Sequence, residues 1–339
     1  MSDQQKKMRE LADRLNKASE AYYKENIEIM SNLEYDALYD ELEALEKETG
    51  IVLSGSPTQK VGYETSEGLP KEEHPSRMLS LDKTKSIDEL AAWLGDREGL
   101  LSWKLDGLTI VLTYEGGRLE KAVTRGNGVI GEVVTPNAKA FENLPLSIPF
   151  KGRLTVRGEA FIKYSDFERI NKTIDDVEAK YKNPRNLCSG SVRQLNNEIT
   201  AQRNVNFAAF SITEAIKEDG SEMDFDNSRE NQMKFLKSQG FEIVEYVRLT
   251  GRQVPEEVKK FEENINSMDI PSDGLVLIYD DIEYGRSLGT TAKFPRDAIA
   301  FKWQDEIRET TLKSIEWSPS RTGLINPVAI FEPVELEGT

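Results

Sequence analysis

The chain has 339 residues, and 44 Lys and Arg against 60 Asp and Glu give a formal net charge of −16 at neutral pH. At roughly 150 residues per domain, that length predicts two or three domains. A single cysteine, Cys188, excludes a disulfide within the chain. A single histidine, His74, leaves too few soft ligands for structural zinc and little room for histidine-based catalysis. No apolar run approaches the roughly 18 residues that a membrane-spanning helix needs. The polar, mixed-charge start MSDQQKKMRELADRL lacks the pattern of a secretory signal. The expectation is a cytoplasmic enzyme or binding protein, and the acidic balance by itself argues against a nucleic-acid partner.

In chain order, the first 50 residues predict two helices. Leu11, Leu15, Ala18 and Tyr22 share one helical face, and after a break at Met30-Ser31-Asn32 the residues Leu38, Leu42 and Leu45 repeat it before Gly50. This segment holds 13 acids against 7 bases, so on composition alone it reads as a solvated surface hairpin. Residues 55–75, rich in Gly, Pro, Ser and Thr, are expected to be a linker. Strands are expected at Leu100–Lys104 and Leu108–Tyr114, with a hairpin turn at Glu115-Gly116-Gly117. More are expected at Arg153–Ile162, Val205–Thr213, Phe241–Val247, Gly274–Ile278 and Ala298–Trp303. Helices at 165–178, 228–239 and 255–267 fall between them, which indicates an α+β fold. Residues 314–339 look like the opening strands of a further domain that stops before it could close.

Lys104-Leu105-Asp106-Gly107 lies between two apolar strand runs. A lysine there could act as a nucleophile if apolar walls and a second cation keep its amine neutral part of the time; it could equally be a solvated strand-end lysine. Three later segments also set charge in or beside apolar strands: Thr124-Arg125-Gly126-Asn127-Gly128, Val156-Arg157-Gly158-Glu159-Ala160-Phe161 and Ala300-Phe301-Lys302-Trp303. Each could hold an internal ion pair. Together they point to one polar ligand, with Arg125 and Lys302 suited to phosphate and Glu159 to a ribose hydroxyl. Gly126-x-Gly128-x-x-Gly131 spells a dinucleotide fingerprint, but Val133-Val134-Thr135-Pro136 is poor helix-opening sequence, so Rossmann binding is not expected. Lys180 to Arg203 carries five bases against Glu198 alone. That reads either as a solvated face or as a track for DNA phosphates, with Arg185 and Arg193 in its turns. Cys188 is expected to be a small packed residue, and His74 an exposed linker residue without a chemical role.

These motifs, in this order, resemble the covalent nucleotidyltransferases and, more closely, the NAD-dependent DNA ligases of bacteria. The likeness is carried by EYDALYDEL (34–42), SPTQKVG (56–62), MLSLD (78–82), KLDGLTI (104–110), TRGNGVIGE (124–132) and VRGEAF (156–161). NPRNLCSGSVRQL (183–195), SDGLVL (272–277), LGTTAKFPRDAIAFKW (288–303) and RTGLINPVA (321–329) continue it across essentially the whole chain. The resemblance implies that Lys104, with Asp106, attacks the α-phosphorus of NAD, releases nicotinamide mononucleotide and carries AMP as a phosphoramidate. It further implies transfer of that AMP to the 5′-phosphate of nicked double-stranded DNA. Arg125, Glu159 and Lys302 match adenylate-pocket positions, and Ser80 and Leu81 match adenosine contacts. Tyr22, Tyr23, Tyr35 and Asp36 match contacts to the nicotinamide half, where aromatic faces and a carboxylate suit a cationic ring. Arg185 and Arg193 fall in the segment near the nick. Magnesium is implied as the ion that neutralises the diphosphate. The domains implied are a helical hairpin and linker (1–68), a nucleotidyltransferase domain of mixed antiparallel sheets (69–314), and the first strands of an OB-fold (315–339), in a chain expected to be monomeric.

Several positions depart from the family's pattern. Ser102 stands where glutamate is usual and Ile278 where lysine is usual, so an acid and a base beside the adenine are absent together. Asn32, Asn127 and Val133 replace acidic residues, and Ile265 stands near the place of an expected arginine. Two rivals to an active NAD-dependent enzyme are a non-ligating nucleotide- or DNA-binding paralogue and an ATP-dependent nucleotidyltransferase.

Overall fold

The computed structural model describes residues 3–20, 30, 32–53, 56–58, 69–174, 180–265, 267–291, 293–303, 309–319 and 325–334; the side chains of 19, 20, 32, 33, 35, 36, 318, 319, 325 and 326 are not described. Two compact units result, residues 1–302 and 303–339. The first opens with α1 (Asp3–Glu20) and α2 (Asn32–Thr49), then β1 (Val52–Leu53), β2 (Lys71–Glu73), β3 (Asp82–Thr84) and α3 (Ile87–Leu94). Next come β4 (Glu98–Leu105), β5 (Leu108–Glu115), β6 (Arg118–Thr124), β7 (Ile130–Glu132), α4 (Thr135–Ala138), β8 (Pro145–Ser147) and β9 (Arg153–Phe161). The unit ends through α5 (Tyr164–Lys172), α6 (Pro184–Val192), α7 (Asn197–Gln202), β10 (Asn206–Ile216), α8 (Arg229–Ser238), β11 (Tyr246–Thr250), α9 (Val254–Ile265), β12 (Ser272–Tyr279), α10 (Ile282–Leu288) and β13 (Ala298–Phe301). The second unit is an antiparallel ribbon of β14 (Leu312–Pro319) and β15 (Ile325–Phe331).

Helices α1 and α2 pair because Met8, Leu11, Ala12 and Leu15 recur on one face and bury against Leu42, Ile51 and Leu53. The pair is fixed to the body by β1, which lies antiparallel to β8, and by an Arg9–Glu142 ion pair of 2.8 Å.

Two sheets form that body. The six-stranded sheet runs β1-β8-β6-β5-β9-β10, antiparallel throughout. Alternation sorts its faces. Ile110, Leu112 and Tyr114 of β5 and Leu154, Val156 and Ala160 of β9 enter the main core, while Thr109, Val111, Arg157 and Glu159 take the opposite face. The five-stranded sheet runs β11-β4-β12-β13-β3, antiparallel except for the β13–β3 pair. On β4, Trp103 meets Phe261 of α9 edge-to-face at 4.7 Å, which leaves Ser102 and Lys104 on the other face. Val276 pairs with Ser102, Gly274 with Lys104 and Ile278 with Leu100, so that face bears two of the departing positions, Ser102 and Ile278, together with the lysine.

The α+β expectation holds, with three local corrections. Lys71–Glu73, expected as linker, is a strand paired with β7. Of Phe241–Val247, only the part from Tyr246 joins a ladder, because Phe241 and Val244 fill the main core instead. The linker histidine is half-buried rather than exposed, with Nε2 donating to Thr124 O at 3.1 Å. Gly126 and Gly128 adopt positive φ in the turn from β6 to β7, so the glycine triplet shapes a strand-to-strand turn and opens no helix.

Candidate active site

Lys104 is the penultimate residue of β4, opposite Gly274 of β12. At Gly274 φ is +155°, and a Cβ would lie 2.2 Å from Phe301 O, so only glycine lets the chain swing its neighbour Asp273 between two lysines. Asp273 Oδ1 accepts from Lys104 Nζ at 2.6 Å and Oδ2 from Lys302 Nζ at 2.8 Å. Burial alone would raise the Asp273 carboxyl, but the hydrogen bonds from Lys104 and Lys302 outweigh it and hold it below its ordinary value. Two ammonium groups and one carboxylate leave a net positive charge at the end of a sheet, suited to phosphate.

The rest of the KLDG motif is tied to β9. Glu159 accepts from Gly107 N–H at 3.2 Å and from Thr109 Oγ1 at 2.8 Å. Burial pushes its carboxyl up to about 7, although Thr109, Lys104 and Arg185 pull the other way. Gly107 is required because a Cβ there would sit 2.0 Å from Ala160 O. Asp106 accepts from Arg185 at 2.6 Å, and its own N–H bonds Pro271 O. Arg125 is one residue removed: its N–H bonds Thr109 O, and its guanidinium donates to Ser80 Oγ at 2.9 Å and Met78 O at 3.3 Å.

Lys104, Asp106, Glu159 and Lys302 thus meet as expected from sequence, and Arg125 and Ser80 join at the rim. Leu81 is half-buried beside them in sequence. Arg185 is drawn onto Asp106, within the same network, whereas Arg193 stands apart, paired with Glu132 at 2.8 Å. Tyr22 and Tyr23 lie outside the described residues; Tyr35 and Asp36 lie on α2 with their side chains undescribed. Buried Cys188 donates to Ala160 O, and burial raises its thiol beyond useful reactivity.

Three contributors escaped sequence reasoning. Asp273 sits inside the SDG motif, and two lysines needing a counter-ion could have flagged it. Phe210 follows apolar neighbours in β10 and looks like core, yet it is 37% exposed at a register shift and lines a small pocket with Ser102 and Ile278. Arg229 lines the same pocket; nothing local in sequence marks it.

Among the described residues, no group of three or more His, Cys, Asp or Glu could hold a metal ion. Asp106, Glu159 and Asp273 already bond protein donors, so the residues present do not form a magnesium cage. No helix among them is long and apolar enough to cross a membrane.

Residues 66–306 match the family described as NAD-dependent DNA ligase adenylation domain, and residues 1–62 match the DNA ligase-like, N-terminal NAD+-binding domain. The DNA ligase of Ruminiclostridium cellulolyticum is 62% identical over the whole chain and 51% of its own length, as is that of Lachnoclostridium phytofermentans. The DNA ligase of Alkaliphilus metalliredigens is 36% identical over 99% of the chain and 51% of its own length. The chain therefore spans about half the length of the curated relatives it matches. With family models matched over residues 1–62 and 66–306 and relatives of this identity along the whole chain, the chain belongs to the NAD-dependent DNA ligase family.

Proposed function

We propose that this chain catalyses the first step of NAD-dependent ligation. The lone pair of Lys104 Nζ forms a bond to the α-phosphorus of NAD, the bond from that phosphorus to the bridging oxygen breaks, and nicotinamide mononucleotide departs. The observation that carries the reading is the Lys104–Asp273–Lys302 bridge beside Glu159. Before attack, the Lys104 ammonium must shed a proton, and Asp273 Oδ1 at 2.6 Å is the nearest acceptor named in the structure. Lys302 stays charged and offsets the negative charge growing on the phosphoryl oxygens. Glu159, when ionised, accepts from a ribose hydroxyl, and the exposed ring of Phe210 offers a stacking face to the base.

Tyr22, Tyr23, Tyr35 and Asp36 are assigned to the nicotinamide half, and Ser80, Leu81 and Arg125 to the adenosine side. Magnesium, absent a protein cage, would be held chiefly by the dinucleotide's phosphates. Nicked double-stranded DNA is the proposed acceptor of AMP in the longer protein, with Arg185 and Arg193 on its path, in a monomeric cytoplasmic enzyme. The domain limits proposed are 1–68, 69–314 and 315–339. Intact-mass measurement after incubation with NAD and magnesium tests the reading. One added AMP, lost in Lys104→Ala, is expected; an unmodified wild-type mass would overturn it.

A further inference from the structure

The one histidine of the chain, His74, follows β2 and lies outside the lysine network. Its N–H donates to Val129 O at 2.8 Å, and its Nε2 lies 3.1 Å from Thr124 O and 3.2 Å from Arg125 O. Both acceptors are carbonyls, so Nε2 must carry the proton, in the neutral ring as in the imidazolium. In an extended strand successive carbonyls point to opposite edges. One N–H can meet two in a row only where the strand ends, so the imidazole closes β6 where Gly126 turns the chain. Further along, Met78 N–H donates to Gly128 O at 2.8 Å. Met78 O and Ser80 Oγ accept from the Arg125 guanidinium at 3.3 and 2.9 Å. Residues 74–80 thus grip both the backbone and the side chain of Arg125. Its own N–H is fixed from the other side, on Thr109 O at 2.9 Å, and the Thr109 hydroxyl in turn bonds Glu159.

We propose that His74 is a positioning residue for Arg125. By donating Nε2–H to the carbonyls of Thr124 and Arg125, it fixes the backbone from which the guanidinium reaches the adenosine half of NAD. The inference rests on the adenylylation reading above, which assigns Arg125 to that side. Arg125 commits Nε to Met78 and one Nη2 proton to Ser80, so further N–H groups are left for a ligand. A guanidinium held at its tip and on both sides of its own peptide loses little freedom on meeting a nucleotide; releasing the backbone restores that freedom. The loss therefore falls on binding of the dinucleotide, not on the phosphoryl step that Lys104 and Lys302 serve. Reach matters as well as the donor. A glutamine amide nitrogen stands about as far from Cα as Nε2 does, whereas an asparagine amide ends near the place of Nδ1.

The test is the rate of AMP incorporation into the full chain, followed by intact mass across a series of NAD concentrations. His74→Ala is expected to raise the apparent KM roughly tenfold, as loss of one well-placed hydrogen bond predicts, with the maximal rate changed by less than about twofold. His74→Gln should recover most of that loss, and His74→Asn should not. Placed on top of Arg125→Ala, His74→Ala should add nothing to KM, because it acts through the residue already removed. A KM penalty that adds in full to that of Arg125→Ala, or a loss confined to the maximal rate, would make His74 a structural cap only and end the proposal. Should His74→Ala fail to fold, the two amide variants decide: a higher KM in His74→Asn than in His74→Gln supports the positioning role, and equal values remove it. Absence of any AMP adduct from NAD on the wild type is a different result, which removes the adenylylation reading itself and this inference with it.

Discussion

Glu159 and Asp273 are both partly buried carboxylates, and their environments push them in opposite directions. Asp273 lies below its ordinary value because two lysines hydrogen-bond its ionised form. A depressed carboxyl contributes stability that is present above its ordinary 3.8 and lost only as pH falls through its lower folded value, so the lysine bridge persists through the neutral range. Asp273→Asn removes the proton acceptor and leaves two ammonium groups adjacent. The expected outcome is a fall of roughly a hundredfold in the rate of AMP incorporation, within the usual range for loss of a general base; wild-type rates in quench-flow would refute the assignment. Glu159 is raised to about 7 by burial. A raised carboxyl contributes stability that is full below its ordinary 4.5 and lost as pH rises through about 7. Function runs the other way, because only the ionised form can accept from Thr109, Gly107 and a ribose hydroxyl at once. KM for NAD is therefore expected to rise as pH falls through about 7, and to be flat there in Glu159→Gln, while the melting temperature of wild type declines relative to that variant over the same interval. Parallel KM profiles in the two proteins would assign the inflection to another group.

At the level of elements, the site depends on close passage of β9 past the turn between β4 and β5. Gly107→Ala would place a methyl 2.0 Å from Ala160 O, a backbone atom that cannot rotate away. The expected cost is at least about 1–3 kcal/mol, read as a lower urea midpoint, together with loss of the Glu159–Gly107 hydrogen bond and of adenylylation. An unchanged midpoint would mean that β9 can recede. Strands with clear alternation, β4, β5, β9 and β12, were legible in sequence because one face meets the core and the other does not. Short capped helices were not. α3 spans only Ile87–Leu94 and is announced mainly by Ser86, whose side chain accepts from Glu89 N–H; α6 begins on Asn183 and Pro184 with no sustained apolar stripe. The motif charges were legible as a set because strands β4, β9 and β13 deliver them to one end. Asp273 was overlooked because an acid beside glycine at a strand start also reads as a turn. Phe210 and Arg229 were invisible because they line one pocket with Ser102, 108 and 127 residues away along the chain, a juxtaposition that periodicity does not encode.

Charge is the property that only the whole molecule defines. A net −16 opposes DNA, yet the first 50 residues contribute 13 acids against 7 bases, and Lys180 to Arg203 reverses the sign locally. Neither arginine assigned to DNA is idle there: Arg185 bonds Asp106 at 2.6 Å and Arg193 bonds Glu132 at 2.8 Å. A DNA phosphate must compete with a carboxylate for each. For Arg185 that competition couples DNA to the KLDG motif, whereas Arg193 and Glu132 are free of the lysine network and isolate the DNA term. Each phosphate contact contributes a slope of about −0.9 to the salt dependence of binding. Arg193→Ala is therefore expected to weaken binding to nicked duplex and to make the slope shallower by about 1, while AMP incorporation from NAD is unchanged. Glu132→Gln, which releases Arg193 from its partner, should do the reverse, tightening binding at low salt and leaving AMP incorporation unchanged. Fluorescence anisotropy across a salt series measures both variants. If Arg193→Ala lost adenylylation but kept its DNA affinity, the arginine would belong to the nucleotide site, and the basic segment would be a solvated face.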